Sequence, residues 1–181
     1  LTRFGKWDNG TFDYMLAQGG PQLQHRSIAA YAPEALPAGH TNPSERIAPI
    51  VIGMGLLAAL HDSTILNLAD PFDLDGDGIS GRINYLLPQD FFTPRSYHID
   101  SAGYYIVRFG KKAAKISLLE QVVFALKQDL GLTSDYDTED PINYAVSNGA
   151  TDGAPDPEVR SDVVDKLLFY IRTLKAPTRR N

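Results

Sequence analysis

The chain has 181 residues, of which 43% are hydrophobic and 22% charged, so it is long enough to bury a core and has the composition of an ordinary globular protein. It contains no cysteine, which excludes disulfides, thiolate metal sites and thiol nucleophiles. No apolar run approaches the ~18 residues that a membrane span needs. The net charge of -5 argues mildly against nucleic acid as a partner.

The N-terminal part of the sequence, residues 1–46, shows little periodicity and is rich in Gly, Pro, Gln and His. Gly19-Gly20-Pro21 would interrupt a regular element there, so we expect an irregular arm with one short helix around residues 12–17. Asn9-Gly10-Thr11 also fits the N-glycosylation pattern, which matters only in a eukaryotic secretory pathway.

Two helices are expected next along the chain. The apolar residues 47–61 predict a buried helix that is entered through Pro49. Asp62 or Ser63 is then expected to cap a short helix over residues 64–69, because both residue types accept hydrogen bonds from the first free N–H groups of a helix.

Beyond an acidic loop, the sequence predicts a strand and a third helix. Tyr104-Tyr105-Ile106-Val107 is the best strand candidate, since aromatic and β-branched residues favour strands. Ser117-x-x-Glu120 is a capping box that begins a helix, and Gly131 stands where its C-terminal cap is expected. One face of this helix is apolar at helical spacing, with Leu119, Val122, Val123, Leu126 and Leu130.

The C-terminal part predicts a long polar loop over residues 132–156 and then a final helix. Asp156-Pro157 combines a capping residue with a proline at the first turn, so we expect this helix to begin there and to end at Pro177. Its apolar stripe consists of Val159, Val163, Leu167, Ile171 and Leu174.

Together these elements predict a mainly α fold with long structured loops and little β. We expect a single domain or segment over residues 1–181. Its parts are an irregular arm over residues 1–46, a core with the acidic loop over residues 47–131, and a loop with the C-terminal helix over residues 132–181.

The acidic loop carries the clearest chemistry. Asp73-Leu74-Asp75-Gly76-Asp77-Gly78 places carboxylates at positions 1, 3 and 5 of a calcium loop, and a glycine at position 6, where the chain must turn sharply. Position 7 would offer the carbonyl of Ile79, and position 12, normally a bidentate Glu, is Asn84. The predicted metal ligands are therefore Asp73, Asp75, Asp77, Ile79 and Asn84.

Asn84 at the last position predicts weaker binding, or a ligand supplied from elsewhere in the fold, and Asp70 is a further carboxylate nearby. The alternative is an acidic turn without an ion, but three carboxylates at alternate positions repel one another unless a cation neutralises them. Because the segment after the loop leads into prolines rather than a helix, we expect a structural calcium loop and not a sensor.

A second motif, Gly53-Met54-Gly55-Leu56-Leu57-Ala58, fits the dinucleotide fingerprint G-x-G-x-x-A and follows the apolar Ile50-Val51-Ile52. It suggests a nucleotide-dependent oxidoreductase as an alternative function. Against this, a helix between Leu56 and His61 is too short for a crossover, and no further strand–helix units follow. The other interpretation is that Gly53 and Gly55 let a buried helix pack closely against another.

The turn Arg108-Phe109-Gly110-Lys111-Lys112 places three cations around a glycine. It predicts either an exposed basic turn or a site for an anion such as a carboxylate. We interpret Arg108 and Lys111 as candidate cofactor-binding residues. Pairing of Arg108 with an internal carboxylate, such as Glu120 or Asp129, is the alternative.

These motifs belong to a larger ordered set, which comprises Gly19-Gly20-Pro21-Gln22-Leu23-Gln24, Ile47-Ala48-Pro49, residues 53–57, Ala69-Asp70-Pro71, residues 73–82, Asn84, residues 108–113, Gln121, Asp129-Leu130-Gly131-Leu132-Thr133 and residues 169–177. In order and spacing this set resembles the bacterial di-haem oxidoreductases, peroxidase-like proteins of the c-type cytochrome class. The resemblance covers nearly the whole chain. It implies a cytochrome c-like or di-haem oxidoreductase segment as the fold.

Beside the calcium that the acidic loop predicts, the resemblance implies haem c as a cofactor, haem-bearing domains or chains as partners, and a periplasmic or cell-envelope location. Members of the family carry Cys-x-x-Cys-His haem sites, whereas this chain has no cysteine to which haem c could attach. Its matching region would lie between the two haem motifs, with Leu1 shortly after the first and Asn181 shortly before the second, so we expect a fragment, one chain of a split protein or a haemless homologue.

The sequence therefore predicts a haem-free, calcium-binding segment that supports electron transfer by haem domains outside this chain. Arg108 and Lys111 would then face haem propionates. The alternatives are the nucleotide-dependent oxidoreductase and a free-standing, calcium-stabilised binding module. The sequence assigns no catalytic residue.

Overall fold

The structure of the chain, a computed structural model, describes residues 1–27, 32–41, 43–94, 102–141 and 154–178. Two units are present: a first unit of Leu1–Ala48 and Val123–Val164, and a second unit of Pro49–Val122 and Asp165–Asn181. The elements in chain order are β1 (Thr2–Arg3), β2 (Lys6–Asp8), β3 (Thr11–Asp13), a 3-10 turn (Leu16–Gln18), β4 (Gln22–Leu23), β5 (Ser44–Glu45), α1 (Met54–Ala59), α2 (Asp62–Asn67), β6 (Tyr85–Leu86), β7 (Tyr105–Ile106), α3 (Leu118–Leu130) and α4 (Ser161–Thr173).

The predicted mainly α fold is wrong, because the described part of the chain is 27% helical and 15% strand, with several small sheets. The strands are two or three residues long, so they are too short to show the alternating apolar pattern by which a strand is predicted from sequence. Within the described residues, no helix combines the length and apolar character of a membrane span.

Two antiparallel sheets in the first unit replace the expected irregular arm. β1 lies between β4 and β5, and β2 pairs with β3 in a hairpin. The hairpin loop is Asn9-Gly10, whose backbones have positive φ values of 48° and 83°, as a tight two-residue loop requires. The helix predicted around residues 12–17 is therefore wrong, because that segment holds β3 and a single 3-10 turn.

Buried apolar side chains of the first unit come from its N-terminal segment and from the C-terminal part of α3. Phe4, Met15, Val123 and Leu126 are buried there. The end of α3 follows the prediction: Gly131 has a positive φ of 73°, and its N–H donates to the Lys127 carbonyl.

The start of α4 differs from the prediction, since the helix begins at Ser161 and not at Asp156-Pro157. The Asp156 carboxylate accepts a hydrogen bond from the buried Thr133 hydroxyl and does not cap the helix. Asp135 takes that role, because its Oδ2 accepts from the Ser161 N–H at 2.5 Å. Residues 142–153 of the predicted polar loop lie outside the described residues.

In the second unit, the apolar segment that was expected to be a buried helix is largely exposed. Its helix, α1, is only six residues long, and Ile50 and Leu56 expose 66% and 67% of their surface. The next helix, α2, begins at Asp62, earlier than predicted, and its cap is His61, whose Nδ1 accepts from the Ser63 N–H at 3.2 Å. Asp62 is the first residue of the helix and is buried, so the cap predicted at Asp62 or Ser63 lies at His61 instead.

The core of the second unit surrounds the predicted strand. β7 pairs with β6, and Tyr105, Val107 and Ile116 form a buried cluster against which Phe92 and Ala113 pack. The predicted capping box at the start of α3 is confirmed. The Glu120 carboxylate accepts from the Ser117 N–H at 2.8 Å, while the Ser117 hydroxyl accepts from the Glu120 N–H at 3.0 Å.

Candidate metal centre

The acidic loop follows α2 and is closed at its base by backbone pairing. Asp70 and Gly81 form an antiparallel bridge, in which the Asp70 N–H donates to the Gly81 carbonyl at 2.9 Å. Gly76 and Gly78 both have positive φ, so the chain can fold back sharply between the bridged residues. Asp73 also has a positive φ of 52°, which aspartate tolerates better than most residues.

Three carboxylates converge within this loop. One oxygen from each of Asp70, Asp73 and Asp75 lies within 4.8 Å of the others. Asp70 and Asp73 are half-buried, whereas Asp75 is exposed. A hard cation such as calcium prefers oxygen ligands of this kind, and a group of three carboxylates carries the negative charge that such a cation neutralises.

Backbone N–H groups hold these carboxylates in place. Asp70 accepts from the Leu74 N–H at 2.9 Å and from the Asp75 N–H at 3.3 Å, and Asp73 accepts from the Gly78 N–H at 3.1 Å. The hydrogen bond from Leu74 is the main cause that lowers the pKa of Asp70 below its ordinary value of 3.8. Asp70 therefore remains an anion to lower pH than a free aspartate.

Of the five predicted ligands, the structure brings Asp73 and Asp75 together. Asp77 is not a member of the group; its Oδ1 accepts from the N–H of Ile79 at 2.8 Å. The Asn84 amide donates to the Ala113 carbonyl at 2.9 Å, and its oxygen accepts from the Tyr85 N–H. Metal binding by Asp77, Ile79 and Asn84 stays a prediction.

Asp70 is the member of the group that the predicted ligand set left out. The loop template starts at Asp73, so it contains no position for a residue that precedes it. The only sequence signal was that Asp70 lies close by in the chain. The bridge between Asp70 and Gly81, which is a tertiary feature, explains why its carboxylate turns back to the loop.

Arg108, a predicted cofactor-binding residue, lies inside the second unit. Its guanidinium pairs with the Asp62 carboxylate, and the two side chains are only 6% and 7% exposed. Its Nη1 also donates to the Leu60 carbonyl at 2.5 Å. The internal partner is thus Asp62, rather than Glu120 or Asp129. A role in binding haem propionates stays a prediction, while the buried pair favours the structural alternative.

Lys111, the second predicted cofactor-binding residue, stands on an exposed turn. The turn is closed by pairing of Phe109 with Lys115, and the Ala113 N–H donates to the Gly110 carbonyl at 3.2 Å. Lys111 and Lys112 are both exposed there. This geometry is that of an exposed basic turn, and cofactor binding by Lys111 stays a prediction.

The motif at residues 53–58 lacks what a dinucleotide site requires. Ile50-Val51-Ile52 forms no strand, and the helix that follows is six residues long. Gly55 instead packs against backbone, since a Cβ there would overlap the Arg172 carbonyl oxygen. The Gly53 N–H donates to the Leu174 carbonyl at 3.0 Å. Close packing against the C-terminal segment therefore accounts for both glycines.

The described part of the chain has mixed secondary structure and one group of converging carboxylates, and the sequence contains no cysteine. Residues 40–181 match the family described as "di-haem oxidoreductase, putative peroxidase". Since this match covers well over half of the chain, the chain belongs to that family. Residues 19–24, which belong to the set of motifs that carries the family resemblance, lie outside the match. No curated protein and no solved structure matches the chain.

The family is one of peroxidase-like oxidoreductases that use haem, yet the donor groups of this chain do not fit covalently attached haem. It has no cysteine for a thioether bond. Two of the described histidines have local partners, as His61 caps α2 and His40 Nδ1 lies 2.9 Å from the Pro37 carbonyl. No step of haem chemistry is therefore assigned to residues of this chain.

Proposed function

We propose that this chain is a calcium-binding, haem-free part of a di-haem oxidoreductase, and that it supports electron transfer by haem domains carried on other segments or chains. The observation that carries the proposal is the convergence of Asp70, Asp73 and Asp75 within 4.8 Å. Calcium bound there would hold the loop closed and stabilise the second unit, in which all three residues lie. A periplasmic or cell-envelope location is part of the same proposal.

The partner in this proposal is a haem-bearing domain. Members of this family use haem. Because this chain has no cysteine, covalently bound haem would have to be carried by another segment or chain. The uncharged segment at residues 50–60 supports contact with a partner, because Ile50, Val51, Leu56 and Leu60 are exposed there. Exposed apolar side chains gathered in this way are typical of surfaces that another protein covers.

The calcium site is tested by thermal unfolding of the chain in calcium and in a chelator. We expect calcium to raise the melting temperature, since it binds the native state. Asp75→Ala and Asp73→Asn should abolish most of that gain, and asparagine at residue 73 keeps the tolerance for positive φ. Asp90→Asn, an exposed aspartate of the same unit outside the group, is the matched control and should keep the gain. Equal melting temperatures in calcium and chelator would exclude the site.

The haem-bearing partner is tested by thiol labelling. Because the chain has no cysteine, Leu56→Cys introduces its sole thiol, in the exposed apolar segment. The thiol should react quickly with a maleimide in the isolated chain and be protected when the haem-bearing polypeptide is present. Asp8→Cys, on the exposed hairpin of the first unit, is the control and should react equally in both states. Unchanged labelling of Leu56→Cys would instead favour a free-standing module.

A further inference from the structure

The hairpin loop Asn9-Gly10 is an exposed dipeptide in which the Asn9 side-chain amide is followed by a glycine backbone nitrogen. Both residues are exposed at the tip of the β2–β3 hairpin. A Cβ built on Gly10 would meet no atom within 4 Å apart from its chain neighbours, so no distant part of the chain packs against that side of the residue. In the described part of the chain, the Gly10 N–H donates to no backbone carbonyl. The residue that follows Asn9 is thus exposed, and its backbone nitrogen is not engaged in the hairpin ladder.

We propose that Asn9 is a site of spontaneous deamidation in the folded chain. The backbone nitrogen of Gly10 attacks Cγ of Asn9; the new N–Cγ bond forms a succinimide, and the Cγ–Nδ2 bond breaks to release ammonia. Water then opens the succinimide at one of its two carbonyls, which leaves aspartate or isoaspartate at residue 9. Glycine favours the attack because it has no Cβ to obstruct ring closure, and asparagine is among the chemically labile residues of proteins.

The conversion would affect an aromatic cluster, because the loop joins the two strands on which Trp7 and Phe12 pair. Trp7 packs edge-to-face on Phe12 with ring centroids 5.3 Å apart, and Phe12 packs on Tyr14 at 5.2 Å. Trp7 is 64% exposed, so the face is open to solvent. Isoaspartate adds one backbone atom to a two-residue loop, which the register Asp8↔Thr11 cannot accommodate unchanged. Either product also adds a negative charge beside Asp8.

The experiment is an incubation of the folded chain at neutral pH, followed by tryptic peptide mapping with separation of aspartate and isoaspartate forms. Cleavage after Lys6 and Arg26 places Asn9 in the peptide of residues 7–26, apart from the other Asn-Gly pair, Asn148-Gly149. We expect the peptide of residues 7–26 to gain both products over time. In the matched variant Asn9→Gly, which retains a residue suited to positive φ, these products should be lost.

Fluorescence gives a second readout, since Trp7 is the only tryptophan. Its emission should change in step with conversion at Asn9, and should stay constant in Asn9→Gly. If Asn9 survives in the folded chain while the urea-unfolded chain converts, the turn protects the amide and the proposal is overturned. Conversion confined to Asn148 in the folded chain would overturn it equally.

Discussion

Replacing Arg108 with alanine is the sharpest test of how the second unit is held together. The guanidinium pairs with Asp62 and donates to the Leu60 carbonyl, and neither charged side chain is more than 7% exposed. Arg108→Ala would leave the Asp62 carboxylate buried without its cation. It would also deprive the Leu60 carbonyl of a charged donor.

The magnitude follows from burial. Removing one partner of a buried ion pair costs about 3–5 kcal/mol, because an uncompensated charge is left behind. An exposed pair contributes only about 0–1 kcal/mol. Arg160 and Asp162 form such a pair at 2.8 Å, with side chains 76% and 43% exposed, so Arg160→Ala is the matched control. We expect Arg108→Ala to lower the free energy of unfolding several times more than Arg160→Ala.

The assay is urea unfolding followed by circular dichroism, applied to Arg108→Ala, Asp62→Ala and the double variant. The double variant should be less unstable than the sum of the single variants, since it buries no unpaired charge. If Arg108→Ala costs no more than Arg160→Ala, the guanidinium is not held in a buried pair. Arg108 would then be free to face a partner or a haem propionate, as the sequence analysis first suggested.

Three further predictions concern the same unit. The pKa of Asp70 is lowered in the folded chain, so its ionised form contributes stability at and above about pH 4 that is lost as the pH falls through the lowered pKa. In a profile of melting temperature against pH, Asp70→Asn should therefore show a smaller decrease at acid pH, and an unchanged decrease would refute this. Gly55→Ala should lower the free energy of unfolding by about 1–3 kcal/mol in urea titrations, because the added Cβ overlaps the Arg172 carbonyl oxygen; a neutral effect would mean that the packing is loose. Glu120→Ala should cost at least about 2 kcal/mol by the same measurement, since the carboxylate accepts from the N–H groups of Gln89, Ile116 and Ser117; Glu120→Gln, which keeps an acceptor, should cost less, and equal losses would argue against the capping role.

Local signals predicted the parts of the fold that are held by local contacts. The capping box at Ser117 and Glu120 and the glycine cap at Gly131 both act within one helical turn, so α3 could be bounded from the sequence. The strand at Tyr105–Ile106 was also found, because aromatic and β-branched residues are concentrated there. In each case the residues that specify the element also make its contacts.

The mistakes arose where distant contacts decide the structure. α4 begins at Ser161, whose N–H donates to the Asp135 carboxylate 26 residues earlier in the chain. No local pattern in the sequence indicates that contact. The β2–β3 hairpin is different, because its signal was present: Asn-Gly is the strongest short loop signal for a hairpin. The same dipeptide also belongs to the glycosylation pattern Asn9-Gly10-Thr11, so the sequence alone gives it two interpretations.

The candidate site divides in the same way. Asp73 and Asp75 are two residues apart, so spacing alone could place their carboxylates together. Asp70 joins them through its bridge to Gly81, and Asp62 reaches Arg108 from 46 residues away, which no spacing rule covers. Spacing in the sequence thus predicts the two ligands at the centre of the loop, whereas the positions of Asp70 and Asp62 depend on tertiary contacts.

The motifs that carry the family resemblance contact one another within each unit. In the first unit, the Gln22 amide donates to the Gln128 carbonyl and to Asp129 at 2.8 and 2.5 Å, and so closes the end of α3. In the second, Gly53 and Gly55 pack on residues 172–176, and Asn84 donates to the Ala113 carbonyl. These contacts join segments that are far apart in sequence, and none of them requires haem. The residues that carry the family resemblance therefore also make contacts that hold each unit of this chain together.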